Sequence, residues 1–188
     1  MKKIEIKEFG GPEVLEIKNV DIGKPGQNEV LVKNLSIGIN YIDTYHRSGL
    51  YPIPLPSGIG LEACSIIEEV GSEVKLFKVG DRVTRASMPI GTYSEKQIIP
   101  EDKLVKVPDN ISDEVASCIT LKGITAEYLL HRTYQVKKGD KILYHAAAGA
   151  LGQIFCPWAN ALGAEIIGTV GSDEKIEIAK KNGCHHVI

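Results

Sequence analysis

Lys141-Ile142-Leu143-Tyr144-His145-Ala146-Ala147-Ala148-Gly149-Ala150-Leu151-Gly152 is the stretch on which the reading of this chain turns. A short apolar run passes into small residues and glycines, and then into residues that can form a helix. The pattern predicts a buried strand, a tight turn and a helix whose N-terminus offers backbone N–H groups to a phosphate. A second strand is expected over Glu165 to Val170, and a second helix near Asp173 to Asn182. A third strand is expected to begin just before Ile188, where the sequence ends. Strands alternating with helices imply a parallel α/β sheet, here one that is begun and not finished.

The strict dinucleotide fingerprint is G-x-G-x-x-G. This chain has Ala147 at the first position, followed by Gly149 and Gly152. Gly149 is expected to let backbone approach a pyrophosphate, and Gly152 to let the helix pack close to the sheet. Gly149, Ala150, Leu151 and Gly152 are therefore the candidate phosphate-binding residues. Cofactor choice is read from the end of the second strand. A site for NADH places Asp or Glu there, about 20 residues on, to hold the ribose 2′-hydroxyl. Val170 stands at that place and has no carboxylate. Ser172 can donate a hydrogen bond, and Lys175 adds a positive charge within one helical turn. A doubly charged 2′-phosphate suits that surrounding, so NADPH is expected over NADH, with Asp173 and Glu174 opposing the trend.

Upstream, the first hundred residues read as short strands punctuated by turns. Ile4 to Phe9 and Glu29 to Lys33 alternate at period two, and Val14 to Ile17 reads as extended. Ile66 to Val70, Asp81 to Thr84 and Tyr93 to Ile99 read as further strands. Turns fall at Gly10-Gly11-Pro12, Pro25-Gly26, Gly71-Ser72 and Gly80-Asp81. The expectation is a β barrel or sandwich. Ile42 to Pro56 reads as a long irregular loop, since Pro52, Pro54 and Pro56 exclude a regular helix there. Such loops often carry site residues. From Pro108 onward the pattern turns helical. Ser112 can cap a helix with Asp113 and Glu114 in its first turn, and a second helix is expected over about Gly123 to Tyr134. The chain thus divides into a domain over 1–120 and the first portion of a nucleotide-binding domain over 121–188.

Bulk properties exclude several classes. The net charge is −2 over 188 residues, with no basic run, so a phosphate-tracking nucleic-acid surface is not expected. No apolar run approaches the roughly 20 residues of a membrane span. The N-terminus, Met1-Lys2-Lys3-Ile4-Glu5-Ile6, lacks the apolar core of a signal peptide, which points to a cytoplasmic protein. Cys64, Cys118, Cys156 and Cys184 are far apart and show no C-x-x-C spacing, so free thiols are expected rather than disulfides or structural zinc.

Taken together, these segments resemble the zinc-independent, zeta-crystallin-like quinone oxidoreductases of the medium-chain dehydrogenase/reductase superfamily. The resemblance rests on Gly10-Gly11-Pro12-Glu13-Val14-Leu15, on Gly38-Ile39-Asn40-Tyr41-Ile42-Asp43 with Arg47-Ser48-Gly49-Leu50-Tyr51-Pro52, on Gly80-Asp81-Arg82-Val83, on Leu121-Lys122-Gly123-Ile124-Thr125-Ala126, and on the His145 to Gly152 turn. It covers essentially the whole chain. It implies a GroES-like catalytic domain followed by a Rossmann domain, and NADPH-dependent reduction of quinones or conjugated carbonyls. An enoyl reductase of the same superfamily is the neighbouring possibility. The resemblance further implies that Asn40 and Tyr51 line the nicotinamide and acceptor site, and that Thr125 touches the cofactor near the nicotinamide. Asn40 could donate an amide hydrogen bond to a developing oxyanion, and Tyr51 offers a hydroxyl and a stacking face. Zinc-containing relatives carry a Cys near Asn40 and a His before Glu62. Here Ile39-Asn40-Tyr41 and Leu61 stand in those places, so no catalytic zinc is expected. A homodimer is implied for a full-length form.

The sequence departs from the family pattern at Ala150, Pro157 and Asn160, where glycine, glutamine and a basic residue are usual. Pro157 falls about two turns into the expected helix, where a proline costs about 3 kcal/mol or kinks the chain. A Rossmann sheet with only strands one, two and a stub of three also leaves strand one as an open edge. A truncated, inactive member of the family is the alternative expectation.

Overall fold

The computed structural model describes residues 1–188. The chain forms two units, Met1–Leu121 and Lys122–Ile188.

The first unit is built from β1 (Lys2–Ile6), β2 (Glu16–Asn19), β3 (Glu29–Gly38), α1 (Tyr41–Ser48), β4 (Ser57–Gly58), β5 (Glu62–Val70), β6 (Arg82–Ala86), β7 (Lys96–Pro100) and β8 (Val105–Lys106), followed by the start of α2 (Asp113–Tyr128). Five strands form an antiparallel sheet in the order β7-β3-β5-β6-β8, and three more form the sheet β2-β1-β4. The long strands β3 and β5 pair from Val30↔Val70 to Gly38↔Glu62, with register shifts between Leu31 and Val32 and between Asn34 and Ser36. Such bulges re-aim the strand and sharpen its twist. Alternate side chains of these strands meet inside: Val30, Val32, Ile67, Val83 and Ile99 are essentially sealed from solvent, with Leu104 beside them. This is the GroES-like architecture.

The second unit carries β9 (Lys141–Tyr144), α3 (Gly152–Ala161), β10 (Glu165–Gly168), α4 (Ile176–Lys181) and β11 (His186–Val187). Its sheet is parallel in the order β11-β10-β9, with Lys141 opposite Glu165 and Tyr144 opposite Gly168. β9 lies at an edge. Phe155, Cys156 and Ala159 of α3 recur at helical spacing and pack with Ile166 and Ala179. The Phe155 ring stacks on Tyr144 at 4.3 Å. This is the opening part of a Rossmann-like fold. No helix of the chain is long and apolar enough to cross a membrane.

Several local expectations are corrected. Ile42 to Pro56 is not an irregular loop throughout, because α1 occupies Tyr41–Ser48. The prolines begin only at Pro52, so they do not touch it. Asp43 caps it by accepting the Asn40 backbone N–H at 2.9 Å, and Gly49 ends it at φ 80°. The two helices expected over 112–134 are one. Ser112 caps it, its Oγ accepting from the Val115 N–H at 3.3 Å. The helix then runs through Gly123 and widens into a π-turn over Leu129–Thr133. A Cβ at Gly123 would meet nothing within 4 Å, so nothing in the surroundings makes this glycine a breaker. Pro12–Val14 is a 3₁₀ turn, and extended chain begins only at Glu16. β10 stops at Gly168 rather than Val170, and the helix expected near Asp173 is a 3₁₀ turn over Asp173–Lys175 leading into α4.

Candidate functional site

In the second unit, the candidate residues gather at the C-terminal ends of β9 and β10. The chain leaves β9 at Tyr144 and turns sharply, with Ala146 at φ 57°. Two bonds pin the turn to the neighbouring strand. Ala147, fully buried, donates its N–H to the Thr169 carbonyl at 3.0 Å, and His145 Nδ1 lies 3.0 Å from the Thr169 hydroxyl. The Asn182 side-chain amide reaches the Ala147 carbonyl at 3.3 Å. Gly149 then donates to the Ala146 carbonyl at 2.8 Å, and α3 begins at Gly152.

Two glycines are required there for different reasons. A Cβ on Gly152 would collide with the Ala147 carbonyl oxygen and stand 2.7 Å from its carbon. The tight neighbour is the turn's own backbone at the end of β9, rather than the sheet as a whole. A Cβ on Gly149 would lie 3.0 Å from the Ala146 oxygen, and no other atom approaches within 3.4 Å. Gly149 is thus the position that leaves its outer face open to a ligand.

A pocket of about 110 Å³ opens beside this turn, lined by Ala146, Ala148, Gly149, Val170, Gly171 and Lys175. Of the candidate residues, the structure places Gly149 and Lys175 in its wall. Ala150, Leu151 and Gly152 form the following turn into α3 and do not line it. Ser172 precedes the 3₁₀ turn that carries Lys175, whose N–H bonds the Ser172 carbonyl at 3.0 Å. Asp173 and Glu174 are absent from the pocket wall, so Lys175 is the one residue with an ionisable side chain that lines it. Lys141, Lys180, Arg132 and His186 make ion pairs in this unit. Thr125 is half-buried on α2 and does not line this pocket.

In the first unit, Asn40 and Tyr51 flank α1. Asn40 sits immediately before the helix at φ −127°, ψ 147°, and is 8% exposed. Its side-chain amide donates to Glu62 Oε2 at 3.0 Å. Tyr51 follows the helix. Its N–H bonds the Tyr45 carbonyl at 3.1 Å, which turns the chain back and sets the Tyr51 ring 5.2 Å from the Tyr45 ring. Tyr45 in turn meets Tyr41 edge-on at 5.3 Å. Tyr41 and Tyr51 are exposed, as are Ile39 and Leu50 around them. α1 is about 12 Å long, with Asn40 before its first turn and Tyr51 folded back beside Tyr45 and His46. Asn40 is a buried polar group, and Tyr51 belongs to a row of rings that runs through Tyr45 to Tyr41 beside it.

Three groups at this end of the first unit were not singled out from sequence. Glu62 is wholly buried. Asp43, 4% exposed, accepts from the Tyr93 hydroxyl at 2.9 Å. Burial, reinforced by Asp43, pushes the Tyr93 phenol far above its ordinary range. The spacing Asn40-x-x-Asp43 is a capping signature and could have disclosed Asp43. Nothing local in the sequence marks Glu62 or Tyr93, whose partners are remote in the chain. No group of three or more His, Cys, Asp or Glu side chains is arranged to hold a metal ion.

Comparison with known proteins adds to this geometry. Residues 26–109 match the Alcohol dehydrogenase GroES-like domain, and residues 150–188 match the Zinc-binding dehydrogenase family. A quinone oxidoreductase of Pseudomonas aeruginosa is 52% identical over 188 residues, covering 100% of this chain and 58% of that protein. A 2-haloacrylate reductase of a Burkholderia species is 47% identical over 190 residues, covering 97% of this chain and 57% of that protein. Among solved structures, Escherichia coli quinone oxidoreductase complexed with NADPH superposes with a TM-score of 0.97 at 50% identity, over 100% of this chain and 58% of that one. The chain spans less than two thirds of the length of these relatives.

Proposed function

We infer that this chain, which belongs to the quinone oxidoreductases of the medium-chain dehydrogenase/reductase superfamily, binds NADPH at the Gly149 turn. In the context of a chain as long as its relatives, it serves the zinc-free reduction of quinones or conjugated carbonyls. The observation that carries this reading is the pocket beside the turn. It combines the open face of Gly149 with Lys175 and has no acidic residue in its wall.

The residues fit a dinucleotide phosphate. The open face of Gly149 and the start of α3 suit a pyrophosphate: the Gly149 N–H is taken by the Ala146 carbonyl, so the anion would be met by the first N–H groups of α3 and by the helix dipole. Lys175, with Ser172 beside it, suits a 2′-phosphate, and Val170 offers no acceptor for a free ribose hydroxyl. When bound, the nicotinamide supplies the hydride. The chain's own part is to bind, orient and exclude water. Thr125 is assigned to the nicotinamide end by the family resemblance. Asn40 offers an N–H to oxygen on the acceptor as negative charge develops there. Tyr51, with Tyr45 and Tyr41, offers an aromatic surface against which a planar acceptor can stack. Without a Lewis acid, the polar contact of Asn40 is the chain's means of stabilising that charge. The 2-haloacrylate reductase among the relatives favours an activated alkene as a second acceptor class. A cytoplasmic location and a homodimer of the longer form accompany this reading.

The test is titration of the purified 188-residue chain with NADPH, followed by nucleotide fluorescence and by quinone-dependent NADPH oxidation. Saturable binding in the micromolar range is expected. Absence of saturable binding would remove the cofactor assignment, and binding without oxidation would confine this chain to the nucleotide half of the activity.

A further inference from the structure

We propose that Glu62 is a positioning residue: its buried carboxylate fixes the Asn40 carboxamide so that nitrogen, not oxygen, is the end offered to a ligand. The inference rests on the reading above only in giving Asn40 a ligand to meet. Glu62 stands at the start of β5, opposite Gly38 at the end of β3, and is fully buried. Its two oxygens are both engaged. Oε2 accepts from Asn40 Nδ2 at 3.0 Å, and Oε1 accepts from the Leu121 backbone N–H at 2.7 Å.

The chemistry of the pair decides the amide's orientation. An ionised carboxylate accepts and cannot donate. A flipped Asn40 would set its Oδ1 against Glu62 Oε2, two acceptors with no proton between them in a buried place, which is strongly unfavourable. The amide nitrogen carries two protons, and Glu62 takes one. The second is held in a fixed direction by the planarity of the amide. The Asn40 main chain is held as well, since its N–H is bonded to Asp43. A donor fixed in this way needs no reorganisation when charge develops beside it.

The sequence makes room for this arrangement at one further position. A Cβ at residue 38 would stand 2.9 Å from Glu62 Oε2 and would collide with the Ser117 carbonyl oxygen of α2. Only glycine at 38 lets β3, α2 and the Glu62 carboxylate close together. Glycine two residues before Asn40 is therefore part of the same device.

The experiment uses the ¹⁵N-labelled 188-residue chain, with the Asn40 side-chain amide assigned by its disappearance in N40D. One of its two protons should exchange roughly tenfold or more slowly than a free amide, and E62Q should abolish the difference. Stability is then compared among E62Q, N40D and the exchanged pair N40D/E62Q. N40D sets two carboxylates against each other and should lower Tm by roughly 10 °C, while E62Q requires either the Asn40 amide to flip or an amide N–H to face the Leu121 N–H and should lower it less. The double variant restores complementarity, because the introduced glutamine amide donates to the introduced aspartate and its carbonyl still accepts from Leu121. It should recover most of the loss. Where turnover is measurable, that stable double variant should stay impaired in kcat with KM for NADPH near the wild-type value. A purely structural role would not produce that split. Asn40 signals unmoved in E62Q, or a double variant no more stable than the worse single, would overturn the proposal. Should E62Q fail to fold, equal and unprotected exchange of both Asn40 protons in the wild type would do so. A chain without turnover bears only on the proposed activity.

Discussion

Gly152 shows how one missing side chain sets the geometry of the turn proposed to hold the nucleotide. Its Cβ position is already filled by the carbonyl of Ala147, a buried residue tied by hydrogen bonds to both Thr169 and Asn182. The turn therefore cannot yield easily. Gly152→Ala should cost about 1–3 kcal/mol, the ordinary penalty for overpacking, and should weaken NADPH binding by shifting the N-terminus of α3. Thermal melts and nucleotide titration check this, and unchanged stability and affinity would contradict the packing argument. Ala146 illustrates the opposite economy of space. It holds φ 57° without being glycine, a strained conformation costing on the order of 1 kcal/mol. The strand, the glycine turn and the helix that follows could be read from sequence, because they depend on local spacing. That Lys175 lines the pocket while Asp173 and Glu174 do not could not. Three consecutive charged residues look equivalent until the 3₁₀ turn assigns each a direction.

Among the elements, α3 carries the clearest conflict between propensity and packing. Pro157 lies in its interior, yet the helix continues unbroken to Ala161. The proline falls on the exposed face, while Phe155, Cys156 and Ala159 bury the other. Tertiary packing holds the helix, and the bond that Pro157 cannot make is the one to the Gln153 carbonyl, on the solvent side. Pro157→Ala should restore that bond and raise unfolding stability by about 1–3 kcal/mol, measured by urea denaturation. A loss of stability would mean that the surroundings have adapted to the proline. The strands of the first unit were readable from period-two alternation and glycine turns, though their ends shifted by several residues. α1 was hidden, because the three prolines that follow it dominated the reading of its segment. α2 was read as two helices, the second starting about Gly123, whereas the chain runs through that residue as one helix.

Across the whole molecule, each unit has its own buried core and neither relies on disulfides; all four cysteines are free. Burial raises several acidic groups together. Cys64 is pushed up to about 11, by burial first and then by Asp113. Cys156 is pushed up to about 12 by burial and then by the neighbouring Cys184, and Tyr144 to about 12 by burial and then by Cys156. These groups bind protons more tightly folded than unfolded, so their stabilisation is complete below the ordinary values of 9.0 and 10.0 and is lost as pH rises toward 12. Arg85, pushed down to about 10 by burial, acts in the opposite sense, since its folded form releases a proton more readily. With Tyr93 and Cys184 also raised by burial, five thiols and phenols oppose one arginine. Tm should therefore be level up to about pH 8.5 and fall steadily above it. A rise in Tm between pH 9 and 11 would contradict the burial of these side chains. The two-domain plan was readable from composition, since strands with turns give way to helical periodicity near Pro108. The juxtaposition of Asn40 with Glu62 was not, because it depends on the pairing of β3 with β5.

The ratio of NADPH to NADH affinity, measured by fluorescence titration in the wild-type chain and in Lys175→Ala, bears most directly on the proposed role of this pocket. One charge-assisted contact to a 2′-phosphate is worth about 1.5–3 kcal/mol, roughly 10- to 150-fold in affinity. NADPH should weaken by at least about tenfold in the variant while NADH changes little, bringing the ratio toward unity. Equal loss for both nucleotides, or a wild-type preference for NADH, would contradict the assignment of this pocket to the 2′-phosphate.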